Sequence, residues 1–182
     1  MKVAAIGLIL ALAAPATAKP TVAELAARLQ KVEDELAIRQ VLVDYSATQD
    51  ARDYAGYAAL FAKEGEWVNG ATVYKGREAI MKMLNSIYGP PPPGYVNVES
   101  YHISSNPQVT VNGDRATARS RHLLIWRGPE GQPTPALAGR YEDEFIREDG
   151  QWKILRRVDY PVMPTPDEWR KVMAARRAAA AK

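Results

Sequence analysis

The side chains best suited to proton transfer in this sequence are two histidines, His102 and His122. An imidazole changes charge near neutral pH, so a positioned histidine can accept a proton during a reaction and return it. The sequence has no cysteine, which excludes thiolate nucleophiles and cysteine-ligated metals. Neither histidine has further metal ligands at local spacing, so we predict no metal site.

Alternation along the chain groups each histidine with other side chains on the same face of a strand, because residues two apart point the same way. Three such faces follow one another: His102, Ser104 and Asn106; Ser120, His122, Leu124 and Trp126; and Gly139, Tyr141, Asp143 and Phe145. The alternation does not decide which faces point inward. By analogy with the neighbouring strand we place His122 inward, where a buried, hydrogen-bonded structural histidine is the alternative to a binding role.

The strands that carry these faces form the second half of the chain. Four extended segments cover residues 101–111, 115–127, 136–147 and 151–159, separated by Asn-Gly-Asp, Gly-Pro-Glu-Gly and Glu-Asp-Gly turn sequences. A shorter strand is predicted around Trp67, between Gly65 and Gly70. This pattern is typical of an antiparallel meander.

Helical periodicity dominates the first half. Helices are predicted over residues 21–48 (one long helix or two in line), 53–62 and 76–88, and from Thr165, an N-cap followed by Pro166. In the first, Leu25, Leu29, Val32 and Leu36 recur at helical spacing, and Ile38, Leu42 and Tyr45 continue on a shifted stripe. Helices followed by a meander predict an α+β domain. A strongly curved sheet of this kind can wrap around the three helices, so that its concave face and the helices enclose a pocket.

Residues 1–18 have the pattern of a secretory signal peptide. Met1-Lys2 precedes an apolar run from Val3 to Ala14, and Ala16-Thr17-Ala18 fits a cleavage site. A membrane anchor is the alternative, but about 12 apolar residues are too few to cross a layer that needs about 20. We therefore expect cleavage after Ala18, export across the inner membrane to a bacterial periplasm, and no membrane span.

The net charge of +3 lies in the terminal segments. The tail from Asp167 onward, part of a basic C-terminal helix over residues 163–182, holds five basic residues against two acidic ones. Without this tail and Lys2 the body carries a net charge of about −1. Nucleic-acid binding needs a basic face beside the reading element, so no nucleic-acid partner is expected.

Several local strings, in this order and spacing, resemble SnoaL-like proteins of the nuclear transport factor 2-like (NTF2-like) superfamily. The strings are Asp44-Tyr45, Thr48-Gln49-Asp50, Tyr74-Lys75-Gly76-Arg77-Glu78, Tyr101-His102-Ile103-Ser104-Ser105-Asn106 and Gly139-Arg140-Tyr141-Glu142-Asp143-Glu144-Phe145. The resemblance implies a cone-shaped α+β barrel over residues 35–162, preceded by an N-terminal helical extension over 19–34. Similar enzymes include scytalone dehydratase, hexachlorocyclohexane dehydrochlorinase and bile-acid 7α-dehydratase, which need no cofactor.

The resemblance also assigns roles to individual residues. Asp50 and His102 match an aspartate that orients a histidine, and the histidine removes a proton from a substrate carbon. Tyr45 matches a tyrosine that assists substrate binding or acid catalysis, and core packing is its alternative. Arg157 matches an arginine that assists the leaving group, although Arg156 beside it leaves open which of the two points inward. A ligand-binding or purely structural use of Asp50 and His102 is the alternative to catalysis.

Aromatic residues predict an apolar small-molecule pocket. Its expected wall consists of Trp67, Asn69, Tyr57, His122, Trp126 and Tyr141. We expect a lyase of the dehydratase type or an isomerase, acting on a small apolar, aromatic or polycyclic substrate. Dehydration is favoured because ketosteroid isomerases use a carboxylate base. The alternatives are a binding or accessory domain without turnover and a module that forms a homodimer or homotrimer, the dimer pairing through the outer face of the sheet.

Overall fold

A computed structural model describes residues 19–180, which form four helices and six strands. The helices are α1 (Val22–Asp50), α2 (Tyr54–Ala59), α3 (Arg77–Tyr88) and α4 (Pro166–Ala180). α1 is a single continuous helix, and a capping box between Thr21 and Glu24 begins it. α2 ends earlier than the sequence predicts because the chain enters the sheet at Phe61.

The strands form one mixed sheet in the order β2-β1-β6-β5-β4-β3. They are β1 (Phe61–Asn69), β2 (Thr72–Lys75), β3 (Ser100–Asn112), β4 (Arg115–Arg127), β5 (Pro133–Glu148) and β6 (Gln151–Met163). β1 and β6 pair in parallel, and every other neighbouring pair is antiparallel. The four predicted long strands are present, whereas β2 was not predicted and β1 starts before Gly65.

β1 continues through Gly65, although a glycine is expected to weaken a strand, because β6 lies very close to this position. The register between β1 and β6 shifts between Phe61 and Glu66. A Cβ at position 65 would lie 2.8 Å from the carbonyl oxygen of Ile154, so only glycine allows β6 to approach at this bulge.

The core lies between the inner face of the sheet and α1, α2 and α3. Ile38 of α1, Phe61 of β1, Ile80 of α3 and Ile154 of β6 are fully buried there. The outer face of the sheet is polar, and Arg119 and Arg140 both approach Glu142 on it. This arrangement is the curved α+β cone that the sequence predicted.

A buried carboxylate fastens α1 to the sheet far from its C-terminal end. Asp34 Oδ1 accepts hydrogen bonds from Arg147 Nη2 at 2.6 Å and from Trp152 Nε1 at 3.1 Å. Burial alone would raise the pKa of Asp34, but these bonds and a third from Gln30 outweigh it and lower the pKa. The carboxylate is therefore a charged anchor that fixes the helix on β5 and β6.

The predicted signal peptide, residues 1–18, lies outside the described residues. Within residues 19–180, none of the helices has the length and apolar character that crossing a membrane requires.

Candidate functional site

A cavity of about 290 Å³ lies between the inner face of the sheet, the C-terminal end of α1, α3 and α4. Nine of the ten helices and strands contribute residues to its lining, and most of these side chains are aromatic or aliphatic. Besides four tyrosines, Tyr45, Tyr57, Tyr88 and Tyr141, the residues with polar or titratable side chains in the lining are Gln49, Asn69, Ser100, His102, His122, Asp159 and Arg177. The volume is at the small end of small-molecule sites, which occupy about 300–1,000 Å³.

Asp50 and His102 meet at this cavity. Asp50 is the last residue of α1, and its Oδ1 lies 2.6 Å from His102 Nδ1. Its Oδ2 accepts the backbone N–H of His102 at 3.1 Å, so one carboxylate fixes both the strand and the ring. With Nδ1 engaged, Nε2 is the ring nitrogen that His102 can offer to a ligand.

A second histidine–aspartate pair lines the same cavity. His122 Nε2 on β4 lies 2.9 Å from Asp159 Oδ1 on β6, and Asn69 Nδ2 donates to Asp159 Oδ2 at 3.2 Å. The His122 ring also stacks on Tyr141, with 4.2 Å between ring centroids. His122 and Asn69, predicted as pocket wall, are thus joined by an aspartate that the sequence analysis did not select.

Glycine at position 139 makes room for the second pair. Gly139 is directly opposite His122 on β5, between the two strands that carry the pair. A Cβ at position 139 would overlap the His122 ring and would lie 2.7 Å from the carbonyl oxygen of Tyr160. The ring can therefore cross β5 to reach Asp159 only because residue 139 has no side chain.

Three tyrosines form one wall of the cavity. Tyr45 packs against Tyr57 and Tyr141, with ring centroids 4.5 and 5.6 Å away, and its hydroxyl accepts a hydrogen bond from Trp67 Nε1 at 2.9 Å. Burial raises the pKa values of Tyr57 and Tyr141 well above the ordinary value. The two phenols, which are protonated at neutral pH even without this shift, are therefore hydrogen-bond donors and not bases over an extended alkaline range.

Arg157 points inward, but it lies behind the tyrosines instead of on the cavity surface. It is fully buried, and Nε and Nη2 donate to the two oxygens of Asp143 at 2.6 and 2.8 Å. Its guanidinium carbon lies 3.8 Å from the ring centroid of Tyr45 and 4.2 Å from that of Tyr141. Burial opposes the charge, but the Asp143 carboxylate outweighs it and raises the pKa of Arg157.

The position of Arg157 changes the role that the resemblance implied. A direct contact with a leaving group is not available to a side chain covered by Tyr45 and Tyr141. The guanidinium instead supports the two rings that line the cavity. Arg156 points to the opposite face, where its Nε lies 3.5 Å from Glu66 Oε2, so the strand alternation that sequence reasoning left open is resolved.

α4 contributes three residues to the lining of the cavity. Trp169, Met173 and Arg177 line it, and Trp169 packs on Trp126 with 5.1 Å between ring centroids. From the sequence this helix is predicted only as a separate basic segment, and these three residues are not predicted to line the pocket. The spacing of Trp169 and Met173, four apart on a helix, was the available sign of a face that packs on the domain.

Gln49 presents a buried polar atom beside the first pair. Its Nε2 donates to the hydroxyl of Tyr88 at 3.1 Å, whereas its Oε1 has no hydrogen-bond partner within residues 19–180. Burial raises the pKa of Tyr88 to about 12. A ligand hydroxyl or N–H group could supply the donor that the Gln49 oxygen lacks.

Metal ligands are not clustered around the cavity. Across residues 19–180, no group of three or more histidine, aspartate or glutamate side chains could hold a metal ion. Each of the two histidines contacts one aspartate instead, His102 with Asp50 and His122 with Asp159.

Comparisons with known proteins agree with this architecture. A family model described as a SnoaL-like domain matches residues 30–158. The γ-hexachlorocyclohexane dehydrochlorinase of Sphingobium indicum is 26% identical over 131 residues, which cover 71% of this chain and 81% of that protein.

Solved structures show the same fold. A scytalone dehydratase-like protein from Novosphingobium aromaticivorans is 30% identical, with a TM-score of 0.59 over 76% of this chain and 89% of that one. An NTF2-like protein with a cystatin-like fold from the same organism is 24% identical, with a TM-score of 0.70 over 81% of this chain and 94% of that one. The latter likeness concerns the fold alone.

Proposed function

The chain belongs to the SnoaL-like domain family, and we propose that it is a cofactor-independent lyase of the dehydratase type. In this proposal His102, held by Asp50, removes a proton from a carbon atom of a small apolar substrate. The observation that carries the proposal is the 2.6 Å contact between His102 Nδ1 and Asp50 Oδ1 at the surface of an aromatic cavity.

The proposed reaction is a β-elimination. The C–H bond breaks, its proton moves to His102 Nε2, and its electron pair forms a C=C bond as the neighbouring C–O bond breaks with its electrons on oxygen. The Asp50 carboxylate stabilises the imidazolium that forms. Such positioned proton transfer contributes about 10²- to 10⁴-fold to a rate.

The departing oxygen needs a proton or a hydrogen bond, and the opposite wall offers donors. The hydroxyls of Tyr57 and Tyr141 are protonated at neutral pH, and burial raises their pKa values further, so they can donate hydrogen bonds to a departing hydroxyl or a carbonyl oxygen. Tyr45 and Trp67 complete this wall through their hydrogen bond. Arg157 acts here as a positioning residue because its cation lies directly behind two of the rings.

The cavity supports a substrate of limited size. A volume of about 290 Å³ suits a one- or two-ring compound better than a larger polycyclic one. His122 and Asn69, both bonded to Asp159, would orient a polar substituent on that ring. The dehydrochlorinase and dehydratase names of the relatives also support elimination from a small ring compound.

Isotope exchange tests this proposal. Protein purified from its native host would be stripped of its pocket ligand, and the ligand would be returned to fresh protein in D₂O. Wild-type protein should convert the ligand or exchange one C–H for deuterium, whereas His102→Ala should do neither while binding it within about tenfold. A ligand that wild-type protein returns unchanged and without deuterium would overturn the lyase proposal in favour of a binding protein.

Export is a further part of the proposed function. The signal-peptide pattern of residues 1–18 predicts a periplasmic protein that begins at Lys19. Mass spectrometry of the protein recovered from periplasmic extract should show this N-terminus. An intact Met1 on the soluble protein would contradict export.

A further inference from the structure

α1 carries an aliphatic stripe on the side that faces away from the domain. The buried residues of α1, which face the domain, are Asp34, Ile38, Leu42 and Tyr45. At 3.6 residues per turn, these lie roughly opposite a second row of aliphatic side chains. The members of this second row, which we call the outer stripe, are Val22, Leu25, Leu29, Val32 and Leu36, with exposures of 84, 48, 58, 54 and 61%.

The spacing of the outer stripe is that of a coiled-coil seam. Its residues alternate between steps of three and four, which is the a and d pattern of a heptad repeat. A helix that only packs on its own domain needs one apolar face, and the buried residues of α1 already provide it. The outer stripe is therefore a second apolar face without a function inside the described fold.

The first turns of α1 also project beyond the domain. Residues 19–33 are all exposed, so the rest of the fold gives them little support. Isolated helices of about 12–15 residues are marginal in water, and a continuous exposed aliphatic row favours association. Packing against another helix would stabilise this segment and cover the row.

We propose that the outer stripe is a self-association surface that pairs with α1 of a second copy of the chain in an antiparallel, two-fold arrangement. Leu25 would then face Leu36 of the second copy, and Leu29 would face its Val32. The charged flank supports this choice, since Arg28 would lie next to Glu35 of the second copy at both ends of the interface.

Arg39 favours the antiparallel direction over the parallel one. Arg39 continues the heptad, and a parallel pair would place the two guanidinium groups together in the seam. In the antiparallel pair Arg39 lies at the end of the seam near Val22, where its guanidinium can remain bonded to Glu35 at 2.8 Å. Beside the outer stripe, Glu24, Glu33 and Glu35 balance Arg28, Lys31 and Arg39, so this segment lacks the net positive charge that favours an anionic membrane surface as the occupant.

Sedimentation of the purified protein tests the surface. The triple variant Leu25→Gln, Leu29→Gln, Leu36→Gln keeps residues of good helix propensity and touches no core position. It should halve the molecular mass of the assembly. The control Val96→Gln, Val98→Gln alters aliphatic residues that are 75 and 62% exposed elsewhere, and it should leave the mass unchanged.

Cysteine cross-linking tests the direction, because the chain has no cysteine of its own. The double variant Leu25→Cys, Leu36→Cys should form a disulfide-linked dimer on mild oxidation, and Leu25→Cys alone should not. A monomeric wild-type protein, an unchanged mass of the triple variant, or stripe-dependent binding to lipid vesicles by a monomer would overturn the proposal. A dimer linked by Leu25→Cys alone would overturn the antiparallel direction.

Discussion

The two histidine–aspartate pairs of the cavity are built in different ways. His102 and Asp50 join the end of α1 to the edge strand β3, so their contact depends on how the helix packs on the sheet. His122 and Asp159 lie on β4 and β6 and meet across β5 inside the sheet.

The difference suggests a division of roles. Asp50 holds the ring and the backbone of its histidine, which directs His102 Nε2 as an acceptor. The second pair instead uses Nε2 of His122 for the carboxylate, shares Asp159 with Asn69 and stacks on Tyr141. We therefore expect the first pair to move the proton and the second pair to orient the substrate.

Removal of each imidazole is the strongest test of this comparison. His102→Ala should lower kcat by about 10²- to 10⁴-fold with little change in ligand affinity, because it removes the proposed base. His122→Ala should act mainly on KM. Steady-state kinetics on the ligand identified by isotope exchange would measure both. Equal losses of kcat in the two variants would contradict the division of roles.

Replacement of each carboxylate by its amide is the next test. Asp50→Asn keeps the shape but removes the charge that fixes the tautomer, so a fall of about 10²- to 10⁴-fold in kcat is expected. Asp159→Asn should cost roughly tenfold in kcat/KM, the equivalent of one hydrogen bond of about 1.4 kcal/mol. A larger kinetic loss for Asp159→Asn than for Asp50→Asn would reverse the assignment.

Gly139→Ala isolates the second pair without removing any of its polar groups. The added methyl overlaps the His122 ring and crowds the carbonyl oxygen of Tyr160, so a loss of about 1–3 kcal/mol in unfolding free energy is expected, with a higher KM. Chemical denaturation checks the stability. Adding His122→Ala should recover part of the loss, and strict additivity of the two changes would show that the ring is not what Gly139 accommodates.

The smallest expected effect concerns Tyr88, whose hydroxyl accepts a hydrogen bond from Gln49, the residue before Asp50 of the first pair. Burial raises its pKa to about 12 from an ordinary value near 10, so the folded state holds the phenolic proton more tightly than the unfolded state. The contribution of Tyr88 to the free energy of unfolding is full below pH 10 and is lost as the pH rises through 12, by about 1.4 kcal/mol at pH 11 and by at most about 2.7 kcal/mol.

Urea unfolding between pH 8 and 11 checks this effect. Tyr88→Phe should make the decline of the unfolding free energy with pH shallower. Tyr101→Phe, a substitution at a tyrosine that is 61% exposed, is the matched control and should leave the slope unchanged. A slope that Tyr88→Phe does not alter would show that other groups control alkaline unfolding.

The resemblance to SnoaL-like proteins predicted the first pair, whereas nothing in the sequence predicted the second as a pair. Short strings at the end of α1 and in β3 carry Asp50 and His102, and alternation grouped His122 with Trp126. Asp159 was missed, although it is two residues from Arg157 and therefore on the same strand face. The choice between Arg156 and Arg157 required the bulge in β1 and the bulge in β6 between Ile154 and Arg156, which set the register of β6.

The remaining omissions come from contacts between distant elements. β2 is a four-residue strand that only pairing with β1 defines. Trp169 and Met173 lie beyond the matched family region, and their place in the cavity lining depends on how the chain turns after β6. Periodicity within one segment indicates which face of a helix packs, but not which distant element it packs against.

The parallel pairing of β1 with β6 has a consequence for folding order. The hydrogen bond from Asn69 to Asp159 joins residues 90 positions apart. β1 can pair with β6 only after the intervening strands have been synthesised. Pairings of such long range slow folding because loop closure precedes the gain in contacts. During refolding we therefore expect the meander of β3, β4, β5 and β6 to associate first, and the cavity to become able to hold a ligand only when β1 docks on β6.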